Sequence, residues 1–243
     1  MSTTFLDFGT LEALDAAQFQ QRHPYPWVNP HGALHDAAYH RLQRQLPPLG
    51  LFSGRFAEQR KFGQASHDRY ALEYRDGLPL GEDWQAFVDE LSGARYLGFL
   101  RRMLGTRRLS LSFHWHYTPN GCSVSPHCDA RRKLGSHIFY FNTADDWRPE
   151  WGGETLILDD GGRFPRDSAP AFEDFASAAP AQALGNYSLL FSRRGNSWHG
   201  VRAVSCPDEA LRKVFIVVIN RARWLPRMLH RPAPARPVAG RPA

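Results

Sequence analysis

The chain has 243 residues, of which 42% are hydrophobic and 22% are charged, as in an ordinary globular protein. The net charge of +6 is concentrated at one end, because residues 221–243 hold six arginines and neither Asp nor Glu. A basic, proline-rich end is typical of a solvated tail, so we do not expect a nucleic-acid partner. No apolar run is long enough to span a bilayer, which argues against a membrane protein.

The cysteine pattern does not predict a disulfide framework. Cys122, Cys128 and Cys206 are odd in number and show no Cys-x-x-Cys spacing. We therefore expect a reducing, cytoplasmic location.

Helical periodicity dominates the first hundred residues. Residues 32–46 predict a helix that ends at a Pro-Pro pair. Residues 82–92 and 95–104 place apolar side chains at helical intervals, with Trp84, Phe87, Val88 and Leu91 at i, i+3, i+4 and i+7. We interpret residues 1–107 as a helical support region.

Strand alternation begins near residue 108. One predicted strand alternates an apolar face with a polar face, and the apolar face consists of Leu109, Leu111, Phe113, Trp115 and Tyr117. Residues 159–182 predict a long loop of the kind that often covers a binding site. A helical first part followed by a series of strands predicts an α+β fold with a closed or double sheet. Further strands are predicted at 136–143, 153–159, 184–193, 198–205 and 211–220.

His127-Cys128-Asp129 is the only His-x-Asp in the sequence. In an extended segment, residues i and i+2 point to the same side, so one imidazole and one carboxylate can meet at a single point. A distant histidine, His199, can complete the set. Two histidines and one carboxylate on one face of an octahedron leave open positions, as in non-haem Fe(II) oxygenases.

Five segments carry a resemblance to a known family. They are residues 117–129 (YTPNGCSVSPHCD), 138–142 (IFYFN), 151–156 (WGGETL), 197–201 (SWHGV) and Arg212. In this order they resemble the prolyl-hydroxylase-like branch of the 2-oxoglutarate-dependent oxygenases. The resemblance implies a double-stranded β-helix, or jelly-roll, core over residues 108–220, with the N-terminal helices packed on one sheet. It also implies one oxygenase domain over residues 1–225, followed by a basic, Pro-rich tail over residues 226–243.

The same resemblance implies a set of ligands and an activity. His127, Asp129 and His199 would bind Fe(II), and Tyr117, Tyr140 and Arg212 would contact the co-substrate 2-oxoglutarate. The thirteen residues from His199 to Arg212 are more than is usual in that family, so Lys213 remains an alternative anchor. The implied enzyme is a dioxygenase that uses O2 to hydroxylate a C–H bond of a small metabolite, an amino acid or a peptidyl residue, with release of succinate and CO2.

Three other interpretations stay open. The chain is alternatively a jelly-roll metal-binding protein without 2-oxoglutarate turnover, a non-catalytic binding module, or an interaction protein that acts through its tail. His114 and His116 are competing metal ligands, but they lie opposite Tyr117 on their strand. If Tyr117 faces the iron pocket, both histidines point away from it. The sequence does not indicate the oligomeric state.

Overall fold

The computed structural model of the protein describes residues 4–222, so the predicted tail over residues 226–243 lies outside the described part of the chain. The helices of this part are α1 (Phe8–Glu12), α2 (Ala16–Gln21), α3 (Asp36–Arg44), α4 (Glu82–Ser92) and α5 (Ala94–Leu104). Its strands are β1 (Trp27–Val28), β2 (Ser53–Arg55), β3 (Arg69–Glu73), β4 (Leu109–Thr118), β5 (Val124–Cys128), β6 (Lys133–Tyr140), β7 (Leu156–Asp159), β8 (Ser177–Pro180), β9 (Ser188–Ser192), β10 (Trp198–Val201) and β11 (Arg212–Arg221). None of these helices is both long and apolar enough to cross a membrane.

The strands form two antiparallel sheets. The large sheet has the order β1-β9-β6-β11-β4-β3-β2, and the small sheet has the order β5-β10-β7-β8. Neighbours in space are mostly distant in sequence, which is the connectivity of a jelly roll rather than of a meander. The predicted α+β class and its jelly-roll core are therefore confirmed.

Helices α4 and α5 cover the outer face of the large sheet. The apolar positions that predicted α4 are all buried, and the Trp84 ring lies 5.1 Å from the Trp115 ring of β4 and 5.0 Å from the Phe215 ring of β11. The Tyr96 hydroxyl of α5 is 2.8 Å from Nδ1 of His137 on β6. The helices are thus packed on one sheet, as expected, and they leave its other face for the cavity between the sheets.

The first 107 residues contribute more than helices. Strands β2 and β3 pair antiparallel and extend the large sheet next to β4, and β1 extends it next to β9. The sequence did not predict these strands, because their residues show no alternation of apolar and polar side chains. The predicted loop over residues 159–182 likewise contains β8, which pairs with β7 at the edge of the small sheet.

The two faces of β4 decide the position of the cavity. Phe113, Trp115 and Tyr117 are buried in the core on the helix side. Ser112, His114, His116 and Thr118 line the space between the sheets. Tyr117 therefore does not face the pocket. The expectation that His114 and His116 point away from it is wrong, because both line it. Both faces of this strand are covered by protein, so alternation alone could not tell which face meets the cavity.

Candidate metal centre and its cavity

His127 and His199 lie directly opposite each other on two paired strands. The register of β5 and β10 pairs the two residues, and their ring centroids are 4.3 Å apart. Asp129 follows the end of β5, two residues beyond His127, and is buried. One ligand atom from each of the three side chains lies within 4.8 Å of the other two. The structure therefore brings together the three residues that the sequence predicted.

Backbone hydrogen bonds fix the tautomer of both histidines. Nδ1 of His127 is 3.0 Å from the carbonyl oxygen of Ser125, and Nδ1 of His199 is 3.0 Å from that of Ser197. A carbonyl oxygen only accepts, so Nδ1 carries the hydrogen and Nε2 keeps its lone pair. Burial lowers the pKa of both imidazoles, and His199 lowers that of His127 further. Both rings are thus held neutral with a free Nε2, which is the state that binds a metal.

Asp129 supplies a carboxylate oxygen that has no protein partner. Its Oδ1 accepts a hydrogen bond of 2.6 Å from Nζ of Lys133, whereas its Oδ2 is buried without any hydrogen-bond partner. Burial opposes the charged form, but Lys133 and His199 outweigh it and hold the pKa of Asp129 below its ordinary value. A buried, ionised oxygen beside two imidazole lone pairs is costly unless a cation completes it. The residues present therefore fit a divalent metal with nitrogen and oxygen ligands.

The three side chains line a cavity of about 480 Å³ between the two sheets. Its lining is mostly polar and comes from strands of both sheets, while its apolar residues lie mainly on β6, β9 and β11. The apolar residues include Ile138, Phe191, Val214, Ile216 and Val218. An enclosed cavity with convergent polar groups is typical of a small-molecule site.

Arg212 and Lys213 open β11 and point to opposite faces of the sheet. Arg212 is buried and lines the cavity, where its Nε donates to the carbonyl oxygen of Gly153 and its Nη2 to Oγ1 of Thr155 at 3.3 Å. Nζ of Lys213 lies 2.8 Å from Oδ2 of Asp146, away from this cavity. The sequence left open whether Arg212 or Lys213 faces the cavity, and the structure places Arg212 there.

Comparison with known proteins identifies the fold. No known family's sequence profile matches the chain, and neither does any curated protein. The prolyl-4-hydroxylase of Pseudomonas putida is similar in structure, with a TM-score of 0.58, 16% identity, and coverage of 85% of this chain and 98% of that one. A prolyl hydroxylase of Trichoplax adhaerens, in complex with a peptide of a hypoxia-inducible factor, has a TM-score of 0.61, 14% identity, and coverage of 85% and 87%. An oxidoreductase of the 2-oxoglutarate/Fe(II) oxygenase family from Burkholderia pseudomallei has a TM-score of 0.54, 17% identity, and coverage of 86% and 94%.

The chain has the 2-oxoglutarate/Fe(II) oxygenase fold. Within that fold, the histidine pair on β5 and β10 lies on the small sheet and Arg212 on the large sheet, so the cavity is enclosed between them.

The two predicted tyrosines lie in different places within this oxygenase fold. Tyr140 is buried next to Arg212, whose Cζ is 5.8 Å from the ring centroid, and its hydroxyl donates to Oγ1 of Thr155 at 2.9 Å. Tyr117 lies on the helix side of the large sheet, where its hydroxyl donates to the carbonyl oxygen of Pro47 at 3.1 Å. The structure thus places Tyr140 next to Arg212 and does not bring Tyr117 to the triad, because the apolar face of β4 packs against the helices.

His67 is a cavity residue that the sequence did not identify. Its ring centroid is 4.4 Å from that of His127, and its Nε2 is 3.1 Å from Oγ of Ser125. Burial, followed by the charges of Arg60 and Arg69, lowers the pKa of His67 to about 3, so the ring is neutral. It sits in a loop without periodicity, and no local pattern could have indicated that this loop folds back onto β5.

Proposed function

We propose that the protein is an Fe(II)- and 2-oxoglutarate-dependent dioxygenase that hydroxylates an unactivated C–H bond and releases succinate and CO2. The observation that carries this proposal is the convergence of His127, Asp129 and His199, whose ligand atoms lie within 4.8 Å of one another. The buried and unpartnered Oδ2 of Asp129 supports a cation at this point. The likeness in fold to oxygenases of this class supports iron as that cation.

Each residue of the triad has a defined part in holding the metal. Nε2 of His127 and of His199 would donate their lone pairs, because Nδ1 of each ring is engaged with a backbone carbonyl. Oδ2 of Asp129 would supply the negative ligand, while Lys133 keeps Oδ1 occupied. When bound, the iron together with 2-oxoglutarate and O2 supplies the oxidising chemistry that protein side chains lack.

Arg212 is the proposed anchor for the far carboxylate of 2-oxoglutarate. Its contacts with Gly153 and Thr155 are with uncharged groups, and no carboxylate of residues 4–222 lies within 4.0 Å of it. A buried guanidinium without an anion is costly, and its planar fork matches a carboxylate. Gly153 and Thr155 accept hydrogen bonds that orient the guanidinium group, and the Tyr140 hydroxyl donates to the same Oγ1 of Thr155.

The apolar part of the lining protects the reacting centre. Ile138, Val214 and Ile216 line the cavity beside Arg212, and the Phe191 ring lies 4.7 Å from that of His199. Exclusion of water by such residues strengthens the electrostatic contacts in the site and suppresses side reactions.

We propose that the substrate is a small metabolite, an amino acid or a peptidyl residue. The peptide bound by the Trichoplax adhaerens hydroxylase supports the peptidyl alternative for a fold of this kind. Because strands from residues 27–73 complete the large sheet, we also propose that residues 1–225 act as one oxygenase domain.

The test is anaerobic addition of Fe(II) and 2-oxoglutarate to the purified apoprotein. We expect a weak visible metal-to-ligand charge-transfer band that needs both additions and is absent with succinate in place of 2-oxoglutarate. After admission of air, succinate should form in proportion to the 2-oxoglutarate consumed. A protein that binds Fe(II) tightly but gives neither the band nor succinate is a metal-binding protein of this fold and not an oxygenase.

A further inference from the structure

Residues 56–69 form the wall of the cavity beside β5. His67 packs on His127, and Oγ of Ser125 on β5 donates to the carbonyl oxygen of Ala65 at 3.1 Å. These contacts join the segment to the small sheet, while Arg69 begins β3 of the large sheet. The segment therefore bridges the two sheets next to the triad, and its side chains Arg60, His67 and Arg69 line the cavity.

Arg60 and Arg69 are cations without an anionic partner. Nη2 of Arg60 donates to Oε1 of Gln64 at 3.3 Å, and Nη1 of Arg69 donates to the carbonyl oxygen of His67. The Nε atoms of both arginines are buried and have no hydrogen-bond partner. No carboxylate oxygen of residues 4–222 lies within 4.0 Å of either guanidinium.

The surroundings show that this arrangement is costly without a ligand. Burial lowers the pKa of Arg60 and of Arg69, although the charge of Glu58 acts in the opposite direction on both. Two half-buried guanidinium groups with unused N–H donors are unfavourable unless an anion accepts those hydrogen bonds. By contrast, Arg55, which directly precedes this segment, is exposed and forms an ion pair of 3.0 Å with Glu58.

Two other cations beside the triad, Lys133 and Arg166, are already engaged with carboxylates. Nζ of Lys133 binds Oδ1 of Asp129. Nη2 of Arg166 donates to the carbonyl oxygen of Asp129 at 2.7 Å, and its Nη1 lies 3.2 Å from Oδ1 of Asp167. Arg60 and Arg69 differ from these two cations, because neither forms an ion pair with a carboxylate of residues 4–222.

The Arg60 and Arg69 pair is separate from the proposed 2-oxoglutarate anchor. Arg69 precedes the Tyr70–Tyr117 pair on β3, which places it next to Thr118, and Thr118 pairs with Arg212 on β11. Two strand spacings thus separate Arg69 from Arg212, about 10 Å between Cα atoms. The side chain of Arg212 is directed to Gly153, before β7, whereas that of Arg69 is directed to His67, beside β5. Strand β10 with His199 lies between β5 and β7, so the two positive sites flank the triad.

We propose that Arg60 and Arg69 bind an acidic group, a carboxylate or a phosphate, of the substrate that is oxidised. This proposal rests on the proposed oxygenase function and narrows it to anionic substrates. Two guanidinium forks can accept one oxyanion through charge-assisted hydrogen bonds, which fixes the end of the substrate and leaves its C–H bonds over the triad.

The experiment uses the full chain loaded anaerobically with Fe(II) and 2-oxoglutarate. The visible band is recorded first, since its absence in the wild-type protein contradicts the oxygenase proposal rather than this one. Inorganic phosphate and benzoate are then titrated separately by calorimetry, so that the two kinds of oxyanion are distinguished. The variants are Arg60→Gln, Arg69→Gln and the double variant, with Arg55→Gln, at the exposed arginine that directly precedes the segment, as the matched control.

We expect saturable binding of at least one of the two anions to the wild-type protein and to Arg55→Gln. Each cavity variant should bind it at least ~10-fold more weakly, as expected for loss of a charge-assisted hydrogen bond. All variants should keep the wild-type KM for 2-oxoglutarate in uncoupled succinate formation. Absence of saturable binding, or equal binding by the double variant, overturns the proposal. A raised KM for 2-oxoglutarate in Arg69→Gln would also overturn it, because Arg69 would then belong to the co-substrate site.

Discussion

Gly153 is in direct contact with Arg212 at the inner end of the cavity. Its carbonyl oxygen accepts a hydrogen bond from Nε of Arg212, and its own φ of 99° lies in the left-handed region. A methyl group at this Cα would lie 3.0 Å from Cδ of Arg212. The glycine thus allows the backbone to approach the arginine closely and to hold its guanidinium in one orientation.

Gly153→Ala should therefore weaken 2-oxoglutarate binding without removing a charged group. We expect a stability loss of about 1–2 kcal/mol from the left-handed backbone, together with a several-fold rise in the KM for 2-oxoglutarate as Arg212 is displaced. Gly161→Ala is the control, because Gly161 has a φ of 58° and no atom within 4 Å of the added methyl group. Both variants should lose stability in urea unfolding, and only Gly153→Ala should change the KM. Equal KM values in the two variants would contradict this role for Gly153.

Replacement of the proposed metal ligands should remove the charge-transfer band. We expect no band on addition of Fe(II) and 2-oxoglutarate to His127→Ala, Asp129→Ala or His199→Ala, because each variant loses one of three convergent ligand atoms. His40→Ala, which replaces an exposed histidine on α3, should keep the full band. A band that persists in all three ligand variants would show that the metal binds elsewhere.

Arg212→Ala and Lys213→Ala test the co-substrate anchor. Arg212→Ala should raise the KM for 2-oxoglutarate by about 10- to 100-fold, as expected from loss of a charge-assisted pair of ~1.5–3 kcal/mol. Lys213→Ala should leave this KM unchanged, since Lys213 pairs with Asp146 on the other face of the sheet. Steady-state succinate formation at varied 2-oxoglutarate measures both effects. The reverse pattern would assign the anchor to Lys213.

His137 should make stability depend on pH. Burial lowers the pKa of His137 to about 3 in the folded protein, whereas its ordinary value is 6.5. Between these values the unfolded chain binds one more proton at this residue, so the free energy of unfolding should fall as the pH decreases from about 6.5 toward 3.

In the apoprotein, His137→Gln should reduce this slope by up to about 1.4 kcal/mol per pH unit. His40→Gln, which replaces an exposed histidine on α3, is the control variant. Urea unfolding at several pH values between 4 and 7, with a chelator present, measures the slope. An identical slope in His137→Gln and the wild-type protein would contradict the assignment of a buried, neutral His137.

The sequence predicted the elements with a long and regular pattern. The four apolar positions of α4 and the alternation of β4 are each repeated often enough to define a period. It did not predict β1, β2, β3 or β8, because their sequences (WV, SGR, RYALE and SAAP) show no alternation of apolar and polar residues. These strands are stabilised by pairing with a neighbour, which no local pattern encodes.

For the site, the sequence predicted that His127 and Asp129 converge, because side chains two residues apart in an extended segment point to the same side. Tertiary structure alone decided which face of each strand meets the cavity. It turned Arg212 inward and Lys213 outward, and it buried Tyr117 under the helices while exposing His114 and His116 to the cavity. It also placed His67, Arg60 and Arg69 beside the triad. The physical reason is that both faces of a covered sheet are shielded from water, so the pattern of apolar residues does not show which face meets the cavity. The contacts of a loop, in turn, form only when the two sheets pack together.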